Sequence, residues 1–136
     1  MGRNIRTVLS LAIVLALGLG VFAGQAAGKV KRFKTGATIE FSHPDAYRFA
    51  GDVTSKKSKC VRNRSVEVRY VTEFDPEERV LGTTTTDDAG HWQIDHSGML
   101  LIADYHAVVE KKKFRKHGKK RVCKRGVSPS VNPADL

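Results

Sequence analysis

The chain of 136 residues is poor in the residues that carry chemistry or staple a small fold: two cysteines, one tryptophan and four prolines. Two cysteines exclude a multi-bridge scaffold and an all-cysteine zinc site. Acids are scarce, 14 against 24 lysines and arginines, which leaves a net charge of +10. Hydrophobic residues at 40% and charged residues at 28% exclude a fibrous repeat and a polytopic membrane protein, and the length suits a single domain. The G-x-S-x-G elbow of hydrolases is missing, as are an H-x-x-x-H pair and a C-x-x-C pair.

One long apolar run exists. Val8 to Ala23, 16 residues without a charge, follows Arg3 and Arg6 and precedes Gly24, Gln25, Ala26, Ala27 and Gly28. A positive start, an apolar run and small residues behind it are the three parts of a secretory signal peptide, expected at 1–26. Cleavage is expected after Ala26, with Ala23 as the alternative. A membrane-spanning helix wants about 20 apolar residues, and Gly18 and Gly20 weaken this one. The mature chain is therefore expected not to span a membrane. No cysteine near the cut is free to carry a lipid. Losing Arg3 and Arg6 leaves a charge of +10 − 2 = +8.

Export changes how the cysteines read. In an oxidising compartment Cys60 and Cys123 are expected to pair as a disulfide; the alternative is two free, buried thiols. Such a bridge would close a loop of about 64 residues, worth about 4 kcal/mol by chain entropy.

Strand patterns dominate the rest. Thr38, Ile39 and Phe41 form a short β-prone run, and Tyr47 to Thr54 another, with Phe49 and Val53 apolar. Ser65 to Thr72 alternates best, with Val66, Val68 and Tyr70 on one face and Glu67 and Arg69 on the other. Phe74 to Glu78 reads as a loop, Val80 to Thr86 as a threonine-rich strand, and Asp87 to Gly90 as a turn. His91 to Asp95 puts Trp92 and Ile94 together, Leu100 to Lys111 alternates at Tyr105, Ala107 and Val109, and Val122 to Val131 would close the sheet. The sum is about seven strands without a sustained helical period, which predicts an all-β sandwich. Residues 27–36 read as a basic linker or tether, 37–131 as the sandwich and 132–136 as a tail.

Several segments resemble a known family. Phe49-Ala50-Gly51-Asp52-Val53 is similar to the F-x-G-x-V strand of carboxypeptidase regulatory-like domains, and Thr86-Asp87-Asp88-Ala89-Gly90-His91-Trp92 to their T-D-x-x-G-x-W hairpin. Small secreted basic proteins of actinobacteria share an order of motifs found here. These are Lys56-Lys57-Ser58-Lys59-Cys60, Arg64-Ser65-Val66-Glu67-Val68, the turn, Tyr105-His106-Ala107-Val108-Val109-Glu110-Lys111-Lys112, and Val122-Cys123. The resemblance covers about residues 47–127. It implies a transthyretin-like, Ig-like sandwich of seven strands with Cys60 bridged to Cys123. It also implies no catalytic residues, metal or cofactor. Pro-Gly usually precedes the Y-x-A strand of these proteins, whereas Ser97-Gly98 and Met99 to Ile102 stand here.

Chemical constellations are thin. Asp87 and Asp88 fall short of the six to eight oxygens that calcium wants, so Asp87 to Gly90 reads as a hairpin turn. His91, His96 and His106 lie near Asp95 and Asp104 in sequence without ligand spacing, and His91 alternates away from Trp92. A small secreted hydrolase would pair Ser65 or Ser97 with one of these histidines, but composition alone does not make a triad.

Charge layout says more. Ten cations and no acid lie between residues 111 and 125: Lys111, Lys112, Lys113, Arg115, Lys116, Lys119, Lys120, Arg121, Lys124 and Arg125. Lys56, Lys57, Lys59, Arg62 and Arg64 flank Cys60. A Cys60–Cys123 bridge would merge both groups into one patch at a basic hairpin tip. Such a patch attracts polyanions. Outside a cell these are teichoic acids, acidic polysaccharides, anionic lipids or extracellular DNA. With Phe114 as its one aromatic, the patch is no stacking platform, so specific nucleic-acid recognition is not expected. The bland alternative is a solubilising face that protects edge strands. The sequence thus predicts a secreted, non-enzymatic binding or structural module at the cell surface or beyond. A protein-interaction module working through a sheet face or edge is the alternative.

Overall fold

The computed structural model describes residues 28–136. The expected signal peptide, its helix and its cleavage site lie outside the described residues. Eleven strands make up the fold, which is all-β. Seven have five residues or more: β4 (Tyr47–Thr54), β5 (Ser65–Val71), β6 (Arg79–Thr85), β7 (His91–His96), β8 (Asp104–Val109), β9 (Lys112–Lys116) and β10 (Lys119–Cys123). Four are short: β1 (Lys31–Phe33), β2 (Gly36–Ala37), β3 (Glu40–Ser42) and β11 (Gly126–Val127). No helix among the described residues is long and apolar enough to cross a membrane.

Two sheets form the sandwich. In one, β4 pairs with β7 along one side and with β2 and β3 along the other. In the second the order is β11-β8-β5-β6. Alternation decides which side chains fill the space between them. Phe49 and Val53 of β4 and Trp92 of β7 meet Val66 and Val68 of β5 and Tyr105, Ala107 and Val109 of β8, all buried. Phe49 and Tyr105 lie 4.9 Å apart, centroid to centroid, and Tyr70 stands 5.4 Å from Tyr105 on its other side. Each such side chain contributes about 1.5–3 kcal/mol when withdrawn from water.

The longer strands follow the alternation, but eleven strands stand where about seven were expected, and Thr38 and Ile39, read as strand, lie between β2 and β3. Four further differences concern particular segments. Asp87 to Gly90 is a turn, but it joins β6 of one sheet to β7 of the other instead of closing a hairpin. Asp87 Oδ1 accepts from the backbone N–H groups of Ala89 and His91, and Gly90 takes φ +93. A side chain on Gly90 would strike the carbonyl of Val53. The strand expected from Leu100 begins only at Asp104, because Met99 to Ile102 form a loop whose Leu101 carbonyl accepts from the Tyr105 hydroxyl. The segment 122–131 divides into β10, β11 and a single bridge from Val131 to Tyr105.

The fourth difference concerns the expected tether. Residues 31–33 form β1, which lies parallel to β10 with Lys31 opposite Arg121 and Phe33 opposite Cys123. The third sheet, β1-β10-β9, therefore stands apart from the sandwich. A tripeptide rich in lysine and arginine shows no partner of its own. The open edge of β10, ninety positions on, supplies the backbone groups it needs.

Candidate anion-binding site

The basic segment builds a hairpin. His117 and Gly118, with φ +50 and +72, link β9 to β10 in the two-residue loop whose twist matches that of the flanking strands. Register then sorts the cations. Lys113 opposes Val122 and Arg115 opposes Lys120, so these four share one face, and Arg32, opposite Val122, joins them from β1. Lys112, Phe114 and Lys116 take the other face with Arg121, Lys119, Cys123 and Phe33.

The second face clamps the sheet to the body. Cys123 is bridged to Cys60, with Cα atoms 5.3 Å apart. Phe33 stacks on Phe114 at 6.4 Å, and the Lys59 ammonium stands 5.6 Å from the Phe114 centroid. Lys112 Nζ donates to the carbonyls of Arg62 and Asn63 at 3.0 and 3.4 Å. Burial and the charge of Arg64 lower its pKa. Lys57, beside Lys116, also has a lowered pKa, chiefly because the two positive charges repel.

Arg64 corrects the expected patch. It is 1% exposed and cannot meet a ligand. Its guanidinium donates to the carbonyls of Cys60, Glu110 and Lys124 and to the Thr35 hydroxyl, the last at 3.1 Å. Burial pulls its pKa down. These acceptors come from both sides of the disulfide, so Arg64 is an internal tie between basic sheet and sandwich. Extending the Val66, Val68, Tyr70 alternation one step back points residue 64 inward. That signal was present in the sequence and was masked by the cations around it.

An open groove of about 780 Å³ lies at this sheet and draws residues from both of its faces. Arg32, Lys111, Lys113, Arg115, Lys120, Arg121, Lys124 and Arg125 line it, with Val30, Phe114 and Val122, and no carboxylate does. Lys56 lies further along, in a hollow with Arg32 and Lys34. Lys116, Lys119 and Arg62 are exposed outside the groove. The structure thus gathers seven of the fifteen expected cations in the groove, leaves Lys56, Lys57, Lys59, Arg62, Lys116 and Lys119 outside it, turns Lys112 to the loop and buries Arg64. Sequence reasoning missed Arg32, whose strand pairing was invisible.

None of the cations on this sheet forms an ion pair among the described residues, whereas Arg48, Arg69 and Arg79 of the sandwich all do. Elsewhere the histidines take separate partners. His91 Nδ1 meets Asp52 and His106 Nε2 meets Glu78 at 2.7 Å. No three His, Cys, Asp or Glu side chains converge as metal ligands among the described residues.

Fold and site together define a disulfide-bridged, all-β sandwich bearing an accessory basic sheet. No protein-family model matches the chain, and no curated protein or solved structure matches it either.

Proposed function

We propose that this chain is a secreted, non-enzymatic binding module of the carboxypeptidase regulatory-like kind that holds anionic polymers in the groove of its basic sheet. One observation carries the reading: eight cations surround one groove that contains no carboxylate. A protein that used these charges only for solubility would have no reason to concentrate them on a sheet clamped by a disulfide and a buried arginine. With Phe114 as its one aromatic, the groove suits a charged backbone more than a stacked base.

The test uses the oxidised chain against teichoic acid, an acidic polysaccharide, anionic vesicles and DNA, at about 0.1 M salt and at about 0.5 M, where the screening length is only a few Å. Binding is expected at the lower salt and lost at the higher. The triple variant Lys113→Glu, Arg115→Glu, Lys120→Glu should lose it at both salts while keeping its stability within about 0.5 kcal/mol, because all three side chains are exposed. Binding that survives high salt and the triple variant overturns the reading. That outcome would favour a protein partner, for which β6 offers a free edge of seven residues with Val80 exposed.

A further inference from the structure

The end of the sandwich opposite the basic sheet has the reverse character. Strand β5 starts beside Arg64 and Cys60 and ends at Val71, which pairs with Asp104. Its seven residues separate the two ends by about 20 Å at roughly 3.3 Å per residue. At the far end the loop after β5 lies against the loop before β8, with Glu77 and Leu101 lining one hollow and Glu73, Ile102 and Asp104 another. Four large apolar side chains stand out here: Phe74 is 96% exposed, Met99 88%, Ile102 76% and Leu101 51%. Glu73, Glu77 and Asp104 are in no ion pair among the described residues.

Water-exposed phenylalanine and isoleucine flanked by unpaired carboxylates form a surface that fits a cationic hollow with apolar walls. This molecule carries such a hollow at its other end, in the groove where Val30 and Val122 lie among the cations. We infer that the acidic, apolar end of one copy docks into the basic groove of a second copy. The contact is head to tail, so each docked pair leaves one groove and one acidic end free, and association continues into chains. At about 0.1 M salt the screening length is about 10 Å, shorter than the molecule. Each end then acts on its own, and the overall positive charge does not keep copies apart. Anionic polymer and acidic end compete for one groove, so the polymer dissolves the chains.

Sedimentation velocity over a concentration series tests this. The oxidised wild type is expected to gain mass with concentration at about 0.1 M salt and to return to monomer at about 0.5 M. Phe74→Ser with Ile102→Ser removes the end, and Lys113→Glu with Lys120→Glu removes the groove. Either pair should weaken self-association by about tenfold or more. All four side chains are exposed, so the fold should tolerate the changes. Mixing the two variants is decisive, because one keeps a groove and the other an end. The mixture should form a complex of two copies that grows no further. A wild type that stays monomeric overturns the inference, as does association that neither variant reduces or a mixture that gains no mass. Polymer binding is measured separately on the Phe74→Ser, Ile102→Ser variant. Its loss there would defeat the anionic-polymer reading and leave the docking result untouched.

Discussion

The sandwich and the basic sheet treat the same residue type in opposite ways. On the sandwich, Arg48 meets Asp95 at 2.7 Å, Arg79 meets Asp75 at 2.6 Å, and Arg69 reaches Glu67, Glu78 and Glu110. On the basic sheet no lysine or arginine has a carboxylate partner among the described residues. A sandwich with an apolar core tolerates a neutralised surface, because burial holds it together. The basic sheet crowds like charges together, and a covalent bond and one buried guanidinium tie it to the body. Charge neutralised within the molecule is unavailable to a ligand, whereas charge left unmatched stays open to one.

The contrast can be broken first at the disulfide. Cys60→Ser with Cys123→Ser should cost about 4 kcal/mol, the loop entropy for 63 residues of separation. Chemical denaturation reads that loss. Polyanion binding should fall with it under conditions where the sandwich stays folded, since the clamp on β10 is gone. A variant that keeps full binding would show that the sheet stands without its bridge.

Next in size is Arg64→Met, which leaves three carbonyls and the Thr35 hydroxyl without their donor. Unmet hydrogen-bonding groups of this kind set the loss at about 3 kcal/mol. Amide exchange should quicken most in β1, β9 and β10, and least in β4 and β5. Uniform acceleration would mean that Arg64 serves the whole fold instead of tying two parts.

On the sandwich the expected effect is smaller. Arg69→Ala should cost about 1 kcal/mol, as for a partly exposed network. The Arg69 hydrogen bond is the main reason that Glu78 has a pKa below the usual carboxylate range. Its folded value thus lies below its unfolded one. The stabilisation is present above the unfolded value and is lost as pH falls through the folded one, in the region below about pH 4. Thermal midpoints measured from pH 6 to pH 2 should therefore fall less steeply in Arg69→Ala than in the wild type.

Lys57 gives the finest probe. Its pKa is lowered first by the Lys116 charge, so its protonated form is disfavoured in the folded state. Stability rises as pH climbs through that lowered value and levels off above the ordinary lysine range. Lys116→Gln should return Lys57 toward the ordinary range in an NMR titration of the side-chain nitrogen. An unchanged titration would mean that Lys116 is not the source of the shift.

Much of the sandwich was legible because its strands bury one face. Tyr47 to Thr54 is β4 as the pattern marks it, and Ser65 to Val71 and Tyr105 to Val109 alternate as expected. The pairing of Cys60 with Cys123 was legible from the count of two cysteines together with the export expected of the N-terminal run. The basic sheet was harder to read, because in a run of cations a lysine facing solvent and one facing a carbonyl look alike. Phe114 and Cys123 break that sameness: their inward positions place Lys112 and Lys116 with them and leave Lys113 and Arg115 outside. The role of Lys31 to Phe33 was illegible, since three residues carry no period and their partner is remote.

That remoteness has a consequence in time. Contacts between β5 and β6 form between segments close in sequence, while residue 31 waits for residue 121. Long-range pairing is slow because a large loop must close before any contact rewards it. The chain leaves its ribosome N-terminus first, so β1 emerges before its partner exists and joins it only after β10 is made. The sandwich is thus an early product of folding and the groove a late one. A chain halted before Arg121 would keep the strands of the sandwich core and lack the groove.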